Sequence, residues 1–175
     1  MTAFGPTLTT NRLMLRLPQA GDEHHLLAMI ESEETRRFLG PNAVATLSDC
    51  FARNVRNAGS WALYGHGNFM VESRADGGFI GGCGLFRTHR GLGEDFDSCA
   101  EAGWTIRADR VGHGYAKEAM AAAHDWFDRT FGRQRTTCII DPRNLASQSV
   151  ARALGYVPYR PAQFEGDTVD LWERI

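Results

Sequence analysis

Leu13, Leu15 and Leu17 alternate with Arg12, Met14 and Arg16, a period-2 pattern that predicts a first strand within Leu8–Leu17, ended by Pro18. Asp22 is placed to cap a helix carrying Leu26, Leu27, Met29 and Ile30, and that run continues through the acidic Glu31–Glu34 segment to Phe38, Leu39 and Gly40. Thr46 or Ser48 opens a second helix with Leu47, Phe51, Val55 and Ala58 on one side and Gly59 as its stop. Trp61–Leu63 and Phe69–Glu72 read as short strands around a glycine-rich turn, and Asp76-Gly77-Gly78 marks a hairpin into Phe79–Phe86. The longest coherent pattern is Glu101–Phe127. Ala102, Trp104 and Ile106 alternate with Glu101, Gly103 and Thr105 as a strand, Gly112, Gly114 and Ala116 follow, and Ala116, Ala119, Met120, Ala123, Phe127 and Phe131 then form one apolar helical stripe. Beyond it, Arg135–Asp141 is an apolar strand ended by Pro142 and Asn144–Leu154 a short helix stopped by Gly155. Tyr156–Tyr159 and Thr168–Arg174 supply the last strands. This order predicts an α/β or α+β domain with a mixed sheet.

Three places in the pattern carry chemistry. A small-residue loop feeding a helix leaves backbone N–H groups free at the positive end of the helix dipole, so Gly112–Ala116 is a candidate anion seat. It is neither a P-loop, which needs GxxxxGK[ST], nor a full dinucleotide fingerprint. The third glycine is Lys117, and Arg133–Arg135 stands where a ribose-binding acid belongs. Asn144 with Ser147 three residues on is by itself an ordinary helix cap and first turn. Glu101 puts a carboxylate on a strand otherwise built for burial, which calls for a partner or a purpose.

Composition narrows the picture further. A chain of 175 residues fits one domain, here residues 1–175, large enough to bury roughly 70% of its unfolded surface. A formal charge of −2 gives no long-range pull on nucleic acid or an anionic membrane. No apolar run approaches a membrane span and the N-terminus lacks the pattern of a signal peptide. Cys50, Cys83, Cys99 and Cys138 are widely spaced, which indicates neither a zinc site nor a disulfide framework and suits a reduced cytoplasm. The six His residues show no ligand spacing, so no metal is implied.

Taken in order, the pieces resemble the GNAT acyl-CoA N-acetyltransferases, specifically the RimJ/RimL-like branch, and the resemblance covers nearly the whole chain. Leu8-Thr-Thr-Asn-Arg-Leu-Met-Leu-Arg16 is similar to that branch's opening strand, and Glu101-Ala-Gly-Trp104 to its E-x-G-Y/W strand. Gly112-His-Gly-Tyr-Ala116 is similar to its acetyl-CoA loop, and Asn144-x-x-Ser147 with Leu154-Gly155-Tyr156 to its N-x-x-S…L-G-F/Y helix. One departure stands out: the family pattern prefers Gln or Arg three positions before the first glycine, and here Asp109 is followed by Arg110. A carboxylate beside a pyrophosphate is unfavourable, so Asp109 is expected to point away. The resemblance implies a single GNAT-like domain whose mixed, mostly antiparallel sheet has about six to seven strands flanked by about four helices.

The implied chemistry is direct transfer of the acetyl group of acetyl-CoA, a cosubstrate, to a primary amine in a ternary complex, with no metal. The amine arrives protonated, at a pKa near ~10, and must lose a proton first. Glu101, directly or through a water, is the candidate base, strengthened by desolvation. Backbone N–H groups at Trp104, Thr105 and Ile106 would hold the thioester carbonyl, and Ser147 would assist the departing thiolate, with Tyr156 in reserve. Asn144 would bond the pantetheine arm. Arg110, Val111, Gly112, His113, Gly114, Tyr115 and Ala116 would cradle the pyrophosphate, with Lys117 and Arg152 as further cations in reach.

The acceptor, small molecule or protein N-terminus, stays open, as does the choice between monomer and homodimer. Acidic residues at Glu31, Glu33 and Glu34 and in the Glu94–Asp97 loop are candidates to attract a cationic amine. Two rival classes are a non-catalytic acyl-CoA-binding sensor, which would lack Glu101 and Ser147, and a phosphotransferase, which would need a P-loop Lys-Ser/Thr and Mg²⁺-binding acids.

Overall fold

The computed structural model describes residues 5–39 and 46–175. One mixed sheet of eight strands runs through them in the order β1-β2-β3-β4-β5-β6-β8-β7. The strands are β1 Leu8–Thr9, β2 Leu13–Arg16, β3 Asn68–Ser73, β4 Phe79–Phe86, β5 Ala100–Ile106, β6 Thr136–Ile140, β7 Val157–Phe164 and β8 Asp167–Arg174. Six helices accompany them: α1 Asp22–Ile30, α2 Glu33–Arg36, α3 Leu47–Tyr64, α4 Glu94–Asp97, α5 Tyr115–Phe131 and α6 Leu145–Ala153. Both counts exceed the about six to seven strands and about four helices expected from sequence.

The extra elements have local causes. The expected first strand is a hairpin, because the Thr10 amide donates to the Leu13 carbonyl while Thr10 Oγ1 accepts from the Leu13 amide, both at 2.9 Å. The acidic stretch is not one run: α1 ends at Ile30 and α2 begins anew at Glu33; Gly40, its expected end, lies outside the described residues. Thr46 caps α3 by accepting from the Asp49 amide, but Gly59 does not end it. The helix continues to Tyr64 and closes at Gly65, so Trp61–Leu63 is helical rather than a strand. An internal glycine costs about 1 kcal/mol, and burial of Trp61, whose Nε1 donates to the Asn68 carbonyl at 2.8 Å, outweighs it.

Two apolar clusters form on the central strands. On one side, Ala119, Met120, Ala123 and Phe127 of α5 pack on Leu13, Leu15, Val71, Ile80, Cys83 and Ala102. The other holds Leu26, Met29 and Ile30 of α1 with Cys50, Met70 and Phe79. Ile80 and Cys83, three apart, share the α5 cluster because Val71 pairs with Gly81 while Glu72 pairs with Phe79. Ile80 is the bulged residue that resets the alternation. Gly81 itself has no room for a side chain, since a Cβ there would collide with the Thr105 carbonyl oxygen.

One junction positions the site. β5 and β6 are parallel, and they pair only at Ala100–Thr136 and Glu101–Thr137. From Ala102 to Ile106, β5 keeps its partner β4 on one edge and has no strand on the other. Behind this junction, His124 of α5 is buried, with Nε2 3.2 Å from the Tyr156 hydroxyl and no partner for Nδ1 among the described residues. Burial pushes its pKa down from 6.5 to about 4, with the Arg174 charge adding to the effect.

Because the folded state resists protonating His124, stability is full above the unfolded value near 6.5 and falls as pH drops towards about 4. The loss over that window is about 3 kcal/mol, and the melting temperature should fall with it. His124→Gln should flatten the curve in this window; parallel curves for parent and variant would remove His124 from the account.

Candidate active site

The junction opens into a cleft of about 870 Å³. Its walls are the unpaired stretch of β5, the facing residues Ile139–Asp141, the start of α5 and the start of α6. Twelve of the thirteen site residues expected from sequence line it: Glu101, Trp104, Thr105, Ile106, Arg110, Val111, Gly112, Gly114, Tyr115, Ala116, Asn144 and Ser147. His113 does not. Its Nδ1 lies 2.9 Å from the Val111 carbonyl and its ring stacks on Tyr115, which turns the imidazole from the cleft.

The loop at the head of α5 is shaped by its glycines. Gly112 and Gly114 hold φ of 83° and 78°, a left-handed conformation that L side chains resist, and Gly114 is the residue from which α5 springs. The first-turn N–H groups, from Tyr115 to Lys117, have no carbonyl within the helix to bond. The loop is braced from the first hairpin. Arg12 donates to Glu118 at 2.7 Å and to the His113 carbonyl at 2.9 Å, and its guanidinium lies 4.6 Å from the Tyr115 ring centre. Thr10 donates to the same Glu118 at 2.6 Å, and these hydrogen bonds hold the Glu118 pKa below the usual carboxylate value against the opposing effect of burial. Asp109 is ion-paired with Arg107 at 3.0 Å and is absent from the cleft lining, while Arg110 pairs with Asp76 at 3.3 Å.

At the other wall, Asn144 caps α6, its Oδ1 accepting from the Ser147 amide at 3.0 Å. The cap uses only the oxygen, so its Nδ2 donors have no protein partner among the described residues. Ser147 is half-buried and its hydroxyl makes no hydrogen bond there. Tyr156, the reserve for the thiolate, is excluded by placement. Its hydroxyl is buried in the core 2.7 Å from Thr136 Oγ1, off the cleft, and desolvation drives its pKa up.

Glu101 is buried at 4% exposure, and it is not alone. The Arg90 guanidinium forks its two oxygens at 2.6 and 2.7 Å, and Thr88 Oγ1 donates at 2.6 Å. Three hydrogen bonds occupy three of roughly four lone-pair directions of a carboxylate, which leaves one, on Oε1, in a residue that lines the cleft. Arg90 is itself placed by Asp97, whose two carboxylate oxygens accept the Arg90 and Gly91 amides at 2.9 and 3.0 Å. Asp95 pairs with Arg160 at 2.9 Å. These two acids of the Glu94–Asp97 segment hold a loop, and of the earlier acidic group only Glu34 lines the cleft. Sequence reasoning missed Arg90 and Thr88: a side chain in a glycine-bearing loop gives no periodic signal.

The matches to known proteins agree with this geometry. A family model described as "Acetyltransferase (GNAT) domain" matches residues 12–157. A structure titled as a putative GnaT-family acetyltransferase from Bordetella pertussis superposes with a TM-score of 0.87 at 31% identity, over 97% of this chain and 99% of that one. An uncharacterized protein of Bacillus subtilis (strain 168), YkkB, is 28% identical over 85% of this chain and 83% of its own length. The fold is shared as well by a RimL ribosomal L7/L12 alpha-N-protein acetyltransferase in complex with coenzyme A, with a TM-score of 0.79 at 15% identity over 97% of this chain and 98% of that one. With the family model spanning most of its length, the chain belongs to the GNAT acetyltransferase family, whose acetyl donor is acetyl-CoA.

Proposed function

We propose that this protein moves the acetyl group of acetyl-CoA to a primary amine by direct attack in a ternary complex, in the manner of the RimJ/RimL-like branch. The observation that carries the reading is the end of β5–β6 pairing after Glu101 and Thr137. It leaves a strand edge with unpaired amides leading straight to a helix N-terminus, an arrangement suited to an extended amide-bearing arm that ends in phosphates. The pantetheine arm would add to the edge of β5 at Trp104–Ile106, with Asn144 Nδ2 donating from the opposite wall. The pyrophosphate would sit on the Gly112–Ala116 amides, with Arg110 and Lys117 at the rim of the same cleft.

The acetyl carbonyl then lies towards the paired end of β5, where main-chain N–H groups stabilise the developing oxyanion. Ser147, whose hydroxyl has no protein partner among the described residues, donates to the thiolate as the C–S bond breaks. Glu101 receives the amine's proton through a water on its remaining lone pair. Arg90 and Thr88 hold that carboxylate in one orientation, which fixes the water. A sensor that binds acyl-CoA without turnover would need neither the free hydroxyl nor the oriented carboxylate.

Calorimetry of coenzyme A tests the cofactor seat. Gly114→Val places a branched side chain where φ is 78°, so it should cost about 1–2 kcal/mol of stability and weaken coenzyme A binding at least ~10-fold by disturbing the loop amides. Unchanged affinity would sink the assignment of this loop.

Thiol release from acetyl-CoA, followed across a panel of amines and N-terminal peptides, tests turnover. Ser147→Ala should lower kcat by about 10²-fold with acetyl-CoA affinity retained; a variant as fast as the parent on a poor acceptor would show that the leaving group needs no help from Ser147.

Glu101→Gln should depress the rate by roughly 10²–10⁴-fold near neutral pH and move the rising limb of kcat/KM towards the amine's own pKa. If Glu101 only anchors Arg90, the variant instead loses melting temperature while the folded protein keeps the parental pH profile.

A further inference from the structure

Arg53 stands on α3 one turn before Asn57, and both residues line the cleft. The Arg53 guanidinium is half-buried and makes no ion pair among the described residues. The residues outside that set, 1–4 and 40–45, contain no Asp or Glu. Three other cleft arginines are neutralised by their own carboxylates: Arg90 by Glu101, Arg110 by Asp76 and Arg143 by Asp141. Arg53 is different. Burial, with the like charges of Arg56 and Arg90 beside it, holds its pKa below the ordinary guanidinium value, and no carboxylate opposes them. A desolvated guanidinium without a counter-ion is unfavourable, and an arriving anion relieves it.

The surroundings of Arg53 bear on which molecule brings that anion. Arg53 lies within electrostatic range of Arg90, whose guanidinium forks Glu101 at the start of β5. The phosphate-binding loop begins beyond Ile106, five residues further along that strand, or about 17 Å at the rise of a β-strand. Asn57, one turn on from Arg53, accepts from Asn68, which the strand pairings put level with Gly103, three residues before that loop begins. The cleft near Arg53 also carries apolar wall from Leu26 and Met29 of α1 and from Phe86 of β4. Arg37 at the end of α2 also lines the cleft without an ion pair among the described residues, but it lies within electrostatic range of the Asp141 carboxylate, whereas no carboxylate acts on Arg53.

We infer that Arg53 seats a carboxylate of the acceptor, so that the acceptor is a primary amine with an apolar body and a carboxylate, as in an apolar α-amino acid. The inference rests on the acetyl-transfer reading above and names the substrate class of that same site. Guanidinium and carboxylate meet as a two-pronged hydrogen-bonded pair, which orients the amine as well as holding it.

The test compares phenylalanine, phenylethylamine and 2-aminoethyl phosphate as acceptors in the thiol-release assay, for the parent, Arg53→Gln and Arg53→Lys. The α-amine of an amino acid is less basic than that of the decarboxylated compound, so the readout is the change in the ratio of kcat/KM values, not the ratio alone. The phenylalanine-to-phenylethylamine ratio should fall about 10- to 100-fold in Arg53→Gln and be partly kept in Arg53→Lys. A ratio unmoved by Arg53→Gln, or preference for the phosphate compound, overturns the assignment. Calorimetry of 3-phenylpropionate, a carboxylate without an amine, with the coenzyme A-loaded protein reads the same seat without turnover. Binding in the parent and loss in Arg53→Gln is the expected result, and no binding in the parent overturns it. Absence of thiol release with every amine would count against acetyl transfer, while the calorimetric result would still decide the fate of the carboxylate seat.

Discussion

The divergence of two parallel strands is the constraint on which the rest of this molecule depends. β5 and β6 share only two residue pairs before separating, and a separated strand edge carries unsatisfied amides and carbonyls. Such an edge is tolerated where solvent or a ligand completes it. Here it opens into the cleft, and every element with a candidate role is arranged along that opening. The order of the chain makes this inevitable: β5 runs through Ile106 into the glycine loop and α5, and β6 runs through Ile140 into Asn144 and α6. Both walls of the cleft therefore end in a helix start.

In the proposed reading, binding and catalysis separate by position along one strand. Backbone groups dominate at the Ile106 end, where the glycines expose the first-turn amides of α5 and the Arg12–Glu118 brace fixes the loop from outside. Side chains dominate at the Glu101 end, where burial makes each charge depend on its partner. Arg90 and Glu101 form one unit there, and the unit is held in turn by Asp97 through main-chain hydrogen bonds. The acidic loop before β5 thus serves the site at one remove, as the support of the arginine that orients the carboxylate.

The face of β5 that carries Glu101, Gly103 and Thr105 also explains the shape of the cleft. A Cβ on Gly103 would stand 2.9 Å from the Phe86 ring, so the missing side chain is the space the aromatic ring occupies. The opposite face, through Ala102 with Trp104 and Ile106, belongs to the α5 cluster. One strand therefore separates a packed core from a polar working surface, and a shift of register by one residue would exchange them.

What the sequence alone determined is what local periodicity and chain order encode. The strand–loop–helix unit at Glu101–Phe131, the Asn144 cap with Ser147 in the first turn, and the ordered set of family motifs were all legible, because each is a contiguous pattern with a short-range physical cause. The continuation of α3 past Gly59 was not, because tertiary burial of Trp61 overrode a local stop signal. Nor was the hairpin inside the first strand, where a single threonine side chain redirects the backbone. The partners of Glu101 were invisible for a deeper reason: Arg90 and Thr88 lie 11 and 13 residues away on a loop whose path the β4–β5 pairing sets. Tertiary structure also divided residues that look alike in sequence, giving Arg90, Arg110 and Arg143 carboxylates within the chain and leaving Arg53 with none. Charge pairing acts through space over a few ångströms, whereas sequence spacing records only what one helix or strand does to its own neighbours.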